Sequence, residues 1–216
     1  MDTSPSDTPT SLTPRRDLLK MAVATGAGFA LSALPSAKAA DPAPPGTAPK
    51  PASSYKYKLN ALKPQVDNAG GSVAECDEVV FPVVKNGGAA VFLLKLKPGA
   101  LREPHWHPNC WEMDYVVAGT VQMTIVPPDG EADIFTLEPG DVAFVPQGFA
   151  HSIANIGSDE AIIPIVFNNS RPDDLGLSTM YGKFPAGQFT QTFGVPPSAM
   201  SAIPQPKETL IVVPKV

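Results

Sequence analysis

Between Tyr55 and Asn168 the chain alternates short apolar runs with turn-forming residues. Each run has the length of a β-strand and is rich in valine, isoleucine, phenylalanine or threonine, and no run keeps the period of an amphipathic helix. The interruptions read KPG, AGT, PPDG, EPGD and PQG, which are turn signals at regular intervals. This pattern predicts an all-β sandwich or barrel.

After this region the pattern changes. Pro196–Pro204 read PPSAMSAIP, with proline at the start, and we predict a short helix there. Glu208–Val213 read ETLIVV, which predicts a final strand or an exchanged arm. On the alternating strands, six apolar residues are expected to line the core or a cavity inside it: Val116, Met123, Ile125, Phe144, Ile153 and Ile165.

The first part of the chain has the features of an export signal. Arg15 and Arg16 precede a weakly apolar stretch, Met21–Leu34, and residues 37–39 read AKA, the small-x-small pattern of a cleavage site. This order of regions resembles the twin-arginine export signal of bacteria, which implies a periplasmic or secreted protein without a membrane anchor. A disordered basic tail and a Sec signal are the alternatives.

We therefore divide the chain into an export signal at 1–39, a proline-rich leader at 40–54 and a single domain at 55–216. The formal net charge of −5 gives no indication of a nucleic-acid partner. Cys76 and Cys110 would be able to form a disulfide in an oxidising compartment. The alternatives for Cys110 are a small side chain that fills space in the core and a side chain next to a metal ion.

Two of the three histidines in the chain are separated by one residue. In a strand, His105 and His107 share a face, and a turn then brings Glu112, at the start of the next strand, within reach of them. His151 follows a strand and a glycine turn, so it would return to the same end of the barrel. Three imidazoles and a carboxylate suit a divalent first-row metal ion, and satisfied core or surface histidines are the alternative.

These residues stand in two motifs that resemble the consensus motifs of the cupin family, G-x5-H-x-H-x4-E-x6-G and G-x5-P-x-G-x2-H-x3-N. The first motif is matched by Gly99, His105, His107, Glu112 and Gly119. The second is matched by Gly140, Pro146, Gly148, His151 and Asn155. The resemblance implies a jelly-roll fold with a metal ion held by His105, His107, Glu112 and His151.

Within the cupins, LKPGALREPHWHPN, GDVAFVP and FGVPPSAMSAIP resemble the oxalate decarboxylases, over about Tyr55–Val213. The resemblance implies Mn²⁺ as cofactor, with Fe²⁺ or another divalent first-row ion as alternatives, oxalate as the small carboxylate substrate, and O₂. Those enzymes have two cupin domains, whereas the single-domain germins form oligomers, so a homo-oligomer is expected. The resemblance to a twin-arginine signal implies export of the protein in its folded state. A weakly held ion such as manganese would then be loaded before export.

Arg102 matches the arginine with which the resembled enzymes hold the second carboxylate of oxalate, a charge-assisted contact. Strict alternation puts Arg102 and His105 on opposite faces of a strand, because they are three residues apart. A kink or bulge at Pro104 is therefore required if Arg102 is to reach the site. A surface arginine that caps a turn is the alternative.

The general acid is where the resemblance is weakest. Oxalate decarboxylases carry a glutamate on a mobile lid, and the corresponding Asn168–Ser178 segment contains none. Asp173 or Asp174 would be the substitutes, with a solvated acidic loop as the alternative, and Ile165 stands where the family has a further glutamate. The acid decides the reaction, because a proton donated to carbon gives formate, whereas electrons passed to oxygen give carbon dioxide and hydrogen peroxide.

Three functions follow as hypotheses. The first is a metal-dependent enzyme that acts on oxalate or a similar small dicarboxylate, as decarboxylase or oxidase. The second is a metal-binding germin-like protein without carbon-bond chemistry. The third is a cupin dioxygenase that uses iron or copper on a larger aromatic substrate, and a cavity walled by bulky residues close to the metal would count against it.

Overall fold

The computed structural model describes residues 54–201, 203, 206 and 210–216. The export signal predicted at 1–39 and nearly all of the leader predicted at 40–54 lie outside the described residues. Both therefore stay predictions.

Within the described residues, twelve strands form two antiparallel sheets. The strands are β1 (Val66–Asn68), β2 (Gly71–Cys76), β3 (Ala90–Leu96), β4 (Leu101–Trp106), β5 (Glu112–Tyr115), β6 (Val121–Val126), β7 (Asp133–Leu137), β8 (Val142–Val145), β9 (Ala150–Asn155), β10 (Ala161–Phe167), β11 (Leu175–Gly176) and β12 (Val212–Val213). The first sheet has the order β1-β2-β3-β10-β5-β8, and the second has the order β11-β4-β9-β6-β7 with β12 also paired to β4. The predicted all-β sandwich is confirmed.

The core lies on the inward faces of the strands. In β6, Val121, Met123 and Ile125 are buried while the residues between them are exposed or half-buried, as the two-residue period of a strand requires. Each fully buried side chain of this kind contributes about 1.5–3 kcal/mol of hydrophobic free energy. The expectation for Phe144 is wrong, because β8 turns its neighbours inward and leaves the Phe144 side chain 50% exposed.

The C-terminal part is helical before it rejoins the sheet. The helices are α1 (Leu177–Lys183), α2 (Ala186–Phe193) and α3 (Pro197–Ser201), and α3 confirms the short helix predicted in this region. None of the helices in the described residues has the length and apolar character needed to cross a membrane. Part of the predicted final strand forms as β12, which pairs with β4 of the same chain.

The two cysteines are buried free thiols. Cys110 is 1% exposed and packs in the main apolar core. Burial, and after it the negative charge of Glu112, raises the pKa of Cys110 to about 12, so the thiol stays protonated at neutral pH. The structure thus favours the interpretation of Cys110 as a small buried filler.

Candidate metal centre

Four side chains from two sheets meet inside the sandwich. His105 lies in β4, directly opposite His151 of β9. His107 comes just after β4, and Glu112 is the first residue of β5 in the other sheet. All four are buried, and one ligand atom from each lies within 4.8 Å of the others. The structure therefore brings together the four residues that the sequence predicted as metal ligands.

The turn before β9 is fixed against the end of β4. Gly148 has a φ of 80°, a left-handed conformation that glycine adopts without strain. Its N–H donates a hydrogen bond of 2.9 Å to the carbonyl oxygen of His107. This contact holds His151, three residues further along the chain, close to His107.

Backbone carbonyl groups set the orientation of the three imidazoles. The Nδ1 atoms lie at hydrogen-bonding distances from such oxygens: 2.8 Å from Glu103 for His105, 2.6 Å from Asp173 for His107, and 3.0 Å from Phe149 for His151. Because a carbonyl oxygen only accepts, each Nδ1 carries the donated proton. In a neutral ring this leaves the Nε2 lone pair free, which is how metal-binding histidines are commonly oriented.

The buried atoms at the centre lack suitable partners. The Nε2 atom of His107 lies 2.9 Å from one Glu112 carboxylate oxygen, and the Nε2 atom of His151 lies 3.3 Å from the other. None of these four atoms makes a hydrogen bond of adequate geometry, although all are buried. Lone pairs facing a carboxylate repel each other unless a cation lies among them. The donor set therefore fits a divalent first-row metal ion.

The protonation states agree with this fit. Burial lowers the pKa of His105 well below its ordinary value, and the nearby charge of Arg102 lowers it further. Burial alone would raise the pKa of Glu112, but His151 and His107 hold it well below its ordinary value. Burial acts against the charged form of His107, yet the adjacent Glu112 carboxylate raises the pKa of His107. Both shifts favour a charged imidazole–carboxylate pair in the metal-free site, so a bound cation would compete with protons there.

Arg102 reaches the same interior because β4 is irregular. Arg102 is opposite Ile153 of β9 and His105 is opposite His151, so three steps on β4 match two on β9. The extra residue is a bulge at the position where the sequence required one, and it turns both Arg102 and His105 inward. Arg102 is 5% exposed, and its Nη1 donates a hydrogen bond of 3.2 Å to the carbonyl oxygen of Ile211.

A cavity of about 20 Å³ adjoins these groups. It is lined by Val73, Glu75, Phe92, Leu94, Arg102, His105, His107, Glu112, Ile165, Phe167, Asp174 and Ile211. This volume holds about one water molecule. One charged guanidinium and three carboxyl groups thus share a small, otherwise largely apolar space with the histidines.

The segment Asn168–Ser178, which we call the covering segment, lies against the site. The carboxylate of Asp174 forms an ion pair with Arg102 and lines the cavity. Asp173 contributes its backbone: its carbonyl oxygen accepts from His107, and its N–H donates to the Asn109 side chain at 2.9 Å. Of the two predicted acids, Asp174 faces the cavity, and the Asp173 carboxyl is not among the cavity-lining groups in the described part of the chain.

Glu75 is a cavity group that the sequence reasoning missed. It lies in β2 two residues after the buried Val73, so both side chains share the inward face. Burial raises the pKa of Glu75, the charges of Asp174 and Asp77 raise it further, and Arg102 acts in the opposite direction. The available signal was the alternation in GSVAEC, which puts a glutamate on the face of a valine.

A second missed carboxyl is Asp114, which is 1% exposed and lies two residues after Glu112 on the inward face of β5. Neither of its oxygens has a hydrogen-bond partner among the described residues. Burial, followed by the charge of Glu112, raises the pKa of Asp114 well above its ordinary value. The interior therefore favours the protonated form of Asp114, which lies behind the metal ligands.

Glu103 ties the C-terminal part of the chain to β4. Its carboxylate accepts hydrogen bonds from the Ser178 N–H at 2.7 Å, the Ser178 hydroxyl at 2.8 Å and the Ile211 N–H at 3.0 Å. The Glu103 N–H in turn donates to the Ile211 carbonyl at 2.9 Å. Ile211 lines the cavity and holds Arg102, so Glu103 supports the site from behind.

A comparison with protein families matches residues 57–196 to the family described as Cupin. The chain belongs to the cupin family. Among curated relatives of this cupin, oxalate decarboxylase OxdC of Bacillus subtilis (strain 168) is 34% identical over 142 residues, which are 66% of this chain and 35% of that enzyme. Germin-like protein 5-1 of Oryza sativa subsp. japonica is 28% identical over 146 residues, which are 65% of this chain and 66% of that protein.

Solved structures agree. The structure of Bacillus subtilis oxalate decarboxylase at pH 4.6 has a TM-score of 0.68 at 31% identity, and the match covers 74% of this cupin and 41% of that chain. A structure from a study of the Mn(II) centres of the same enzyme has a TM-score of 0.69, with 80% and 44% covered. This cupin thus spans less than half the length of the oxalate decarboxylases that it matches. Together with the buried cluster, these relatives support a metal-binding cupin.

Proposed function

We propose that this cupin uses Mn²⁺ to cleave oxalate or a similar small dicarboxylate, giving either formate and carbon dioxide or carbon dioxide and hydrogen peroxide. The observation that carries the proposal is the position of Arg102. A buried guanidinium that shares a small cavity with the metal ligands is suited to the second carboxylate of a short dianion. Fe²⁺ or another divalent first-row ion would occupy the same ligands in the alternative form.

The bound metal ion would supply a Lewis acid for one carboxylate and, with dioxygen, an electron sink for cleavage of the carbon–carbon bond. The residues of this chain would do the rest. Arg102 would bind the second carboxylate, and Ile165 and Phe167 would exclude water from the reacting atoms. Asp174 would first leave the guanidinium, since it occupies the place that a substrate carboxylate needs.

The relatives support this substrate class. Two curated relatives that match are named oxalate decarboxylase, and a solved structure of one of them comes from a study of its Mn(II) centres. The cavity of about 20 Å³ holds about one water molecule, so oxalate would bind only after Asp174 moves aside, and a larger aromatic substrate would require more of the cavity wall to move.

A second candidate is a germin-like metal-binding protein without carbon-bond chemistry. The Asp174–Arg102 ion pair favours it, because the guanidinium is already neutralised by the chain itself. The absence of glutamate from the covering segment points the same way.

The test is to incubate protein of measured metal content with carbon-13 oxalate in aerated, mildly acidic buffer and to follow formate and peroxide together. Arg102→Gln should raise KM for oxalate by roughly 10- to 100-fold, since a hydrogen bond to a charged group contributes about 1.5–3 kcal/mol. Arg171→Gln, which changes an exposed arginine, is the matched control. Absence of both products from protein fully loaded with manganese would leave the germin-like candidate.

Two further properties belong to the proposal. We propose export to the periplasm by the twin-arginine route, and cell fractionation of an Arg15→Lys/Arg16→Lys variant should show retention in the cytoplasm. We also propose a homo-oligomer, which the resemblance to the germins implies. Sedimentation velocity would contradict this if the protein stays monomeric at micromolar concentration.

A further inference from the structure

The cavity contains one carboxyl group that neither the metal ligands nor the Arg102 ion pair accounts for. Glu75 lies on the inward face of β2, directly opposite Phe92 of β3 in the antiparallel register. Its neighbours on that face, Val73 and Leu94, are apolar and buried. A glutamate that faces an apolar interior loses hydration, and Glu75 has no salt-bridge partner among the described residues.

The groups around Glu75 favour its protonated form. Burial raises its pKa most, and the carboxylates of Asp174 in the covering segment and Asp77 after β2 raise it further. Arg102, on β4, opposes this shift, but its guanidinium is neutralised by Asp174. Among the described residues no group donates a hydrogen bond to the Glu75 carboxyl. Glu75 therefore carries a proton at a higher pH than an ordinary glutamate.

Elimination among the cavity carboxyls leads to the same residue. Of the carboxyl groups that line the cavity in the described chain, Glu112 belongs to the metal cluster and Asp174 is ion-paired with Arg102. Asp174 would have to move aside when oxalate binds Arg102, whereas Glu75 is fixed in β2. The buried Asp114 does not line the cavity, so it cannot reach a bound dicarboxylate directly.

We propose that Glu75 is the proton donor of this site and so takes the part for which the covering segment has no glutamate. This inference rests on the proposed function. The carbon–carbon bond of the oxalate dianion breaks, one carboxylate leaves as carbon dioxide, and the electron pair of that bond ends on the remaining carbon. Glu75 gives its proton to that carbon to form the C–H bond of formate, and its carboxylate regains a proton from the next hydrogen oxalate or from water.

The test compares Glu75→Gln with Glu75→Asp and with Glu131→Gln, an exposed control. In manganese-loaded protein, Glu75→Gln should lower the formate rate by about 100-fold or more, the range of general-acid catalysis. KM for oxalate and the metal content should stay within about twofold, because glutamine is nearly the same size as glutamate and still forms hydrogen bonds, and Arg102 is intact. Glu75→Asp should restore part of the formate rate, and Glu131→Gln should match the unmodified protein.

A second readout does not depend on turnover. Carboxyl carbon-13 NMR of glutamate-labelled full-length protein loaded with diamagnetic Zn²⁺ should contain one glutamate resonance that titrates above the ordinary range, disappears in Glu75→Gln and shifts when oxalate is added. Formate formed at an undiminished rate by Glu75→Gln overturns the donor role alone. Protein that makes neither formate nor peroxide before any substitution overturns the proposed function and the donor role with it.

Discussion

Replacement of Glu103 tests whether the C-terminal part of the chain supports the site. The carboxylate accepts three hydrogen bonds, two from Ser178 and one from Ile211. Ile211 has a φ of 52°, a left-handed conformation that costs a branched residue about 1–3 kcal/mol and persists only where contacts impose it. Glu103→Ala removes the acceptor for all three donors, although the backbone N–H of residue 103 still donates to the Ile211 carbonyl.

The magnitude follows from the donors left behind. Each buried donor without a partner costs about 1–3 kcal/mol, and water reaches part of this region because Leu210 is exposed, so we expect a loss of about 3–5 kcal/mol. Glu103→Gln should lose less, about 1–2 kcal/mol, because its amide oxygen still accepts the two bonds made to Oε1. The corresponding change for Glu103→Ala is a Tm lower by roughly 6–20 °C for a domain of this size.

The assay is urea and thermal unfolding, with Glu131→Ala as an exposed control, followed by oxalate kinetics. Because the Ile211 carbonyl also accepts from Arg102, Glu103→Gln should raise KM for oxalate more than it lowers kcat. A loss of less than about 1 kcal/mol for Glu103→Ala, no different from the control, would show that this network does not hold the C-terminal part in place.

Other predictions concern the cavity. Asp174→Asn should lower KM for oxalate by freeing Arg102, and should cost about 1–3 kcal/mol of stability because the buried Arg102 side chain is left with a neutral partner; an unchanged KM in steady-state kinetics would contradict this. Glu75 binds its proton more tightly when folded, so its contribution to stability is present below the ordinary glutamate pKa and is lost as pH rises through the raised value. Urea unfolding at pH 4.5 and 7.5 should thus show Glu75→Gln gaining stability relative to the unmodified protein at the higher pH. Chelation of the metal should lower Tm, with recovery on adding Mn²⁺, since a ligand at 100 times its Kd stabilises by about 2.7 kcal/mol; an unchanged Tm would argue against binding at Glu112 and the histidines.

The sequence predicted the cluster because its parts are set by local geometry. His105 and His107 are two apart, and the need for a bulge before His105 follows from a spacing of three to Arg102. The structure has that bulge. The fold class likewise follows from strand-length runs and turns, which need no knowledge of distant contacts.

Other features depend on which face of a strand is buried, and the two-residue period does not decide that. Phe144 was expected inside, but β8 pairs with β5 so that Ala143 and Val145 lie opposite Asp114 and Glu112 and face inward with them. Glu75 was missed for the same reason: Val73 and Glu75 alternate with the apolar Ala74 and Cys76, and the sequence does not show which of the two sets faces the cavity. The tie from Glu103 to Ile211 joins residues 108 apart, which no local pattern predicts.

Arg102 is held by parts of the chain that are far apart in sequence. The bulge in β4 turns it inward, Asp174 neutralises it from the covering segment, and the Ile211 carbonyl fixes it from the C-terminal part. A dicarboxylate would have to displace Asp174 from Arg102 and would then lie beside Glu75. The negative charge of the substrate would offset the charge of Arg102, which otherwise lowers the pKa of Glu75. Substrate binding would leave Asp174 unpaired and the space around Glu75 more negative, which favours a protonated Glu75 at the moment a proton is needed. On this reasoning, the ion pair that blocks Arg102 before binding also contributes to the balance between formate and peroxide after it.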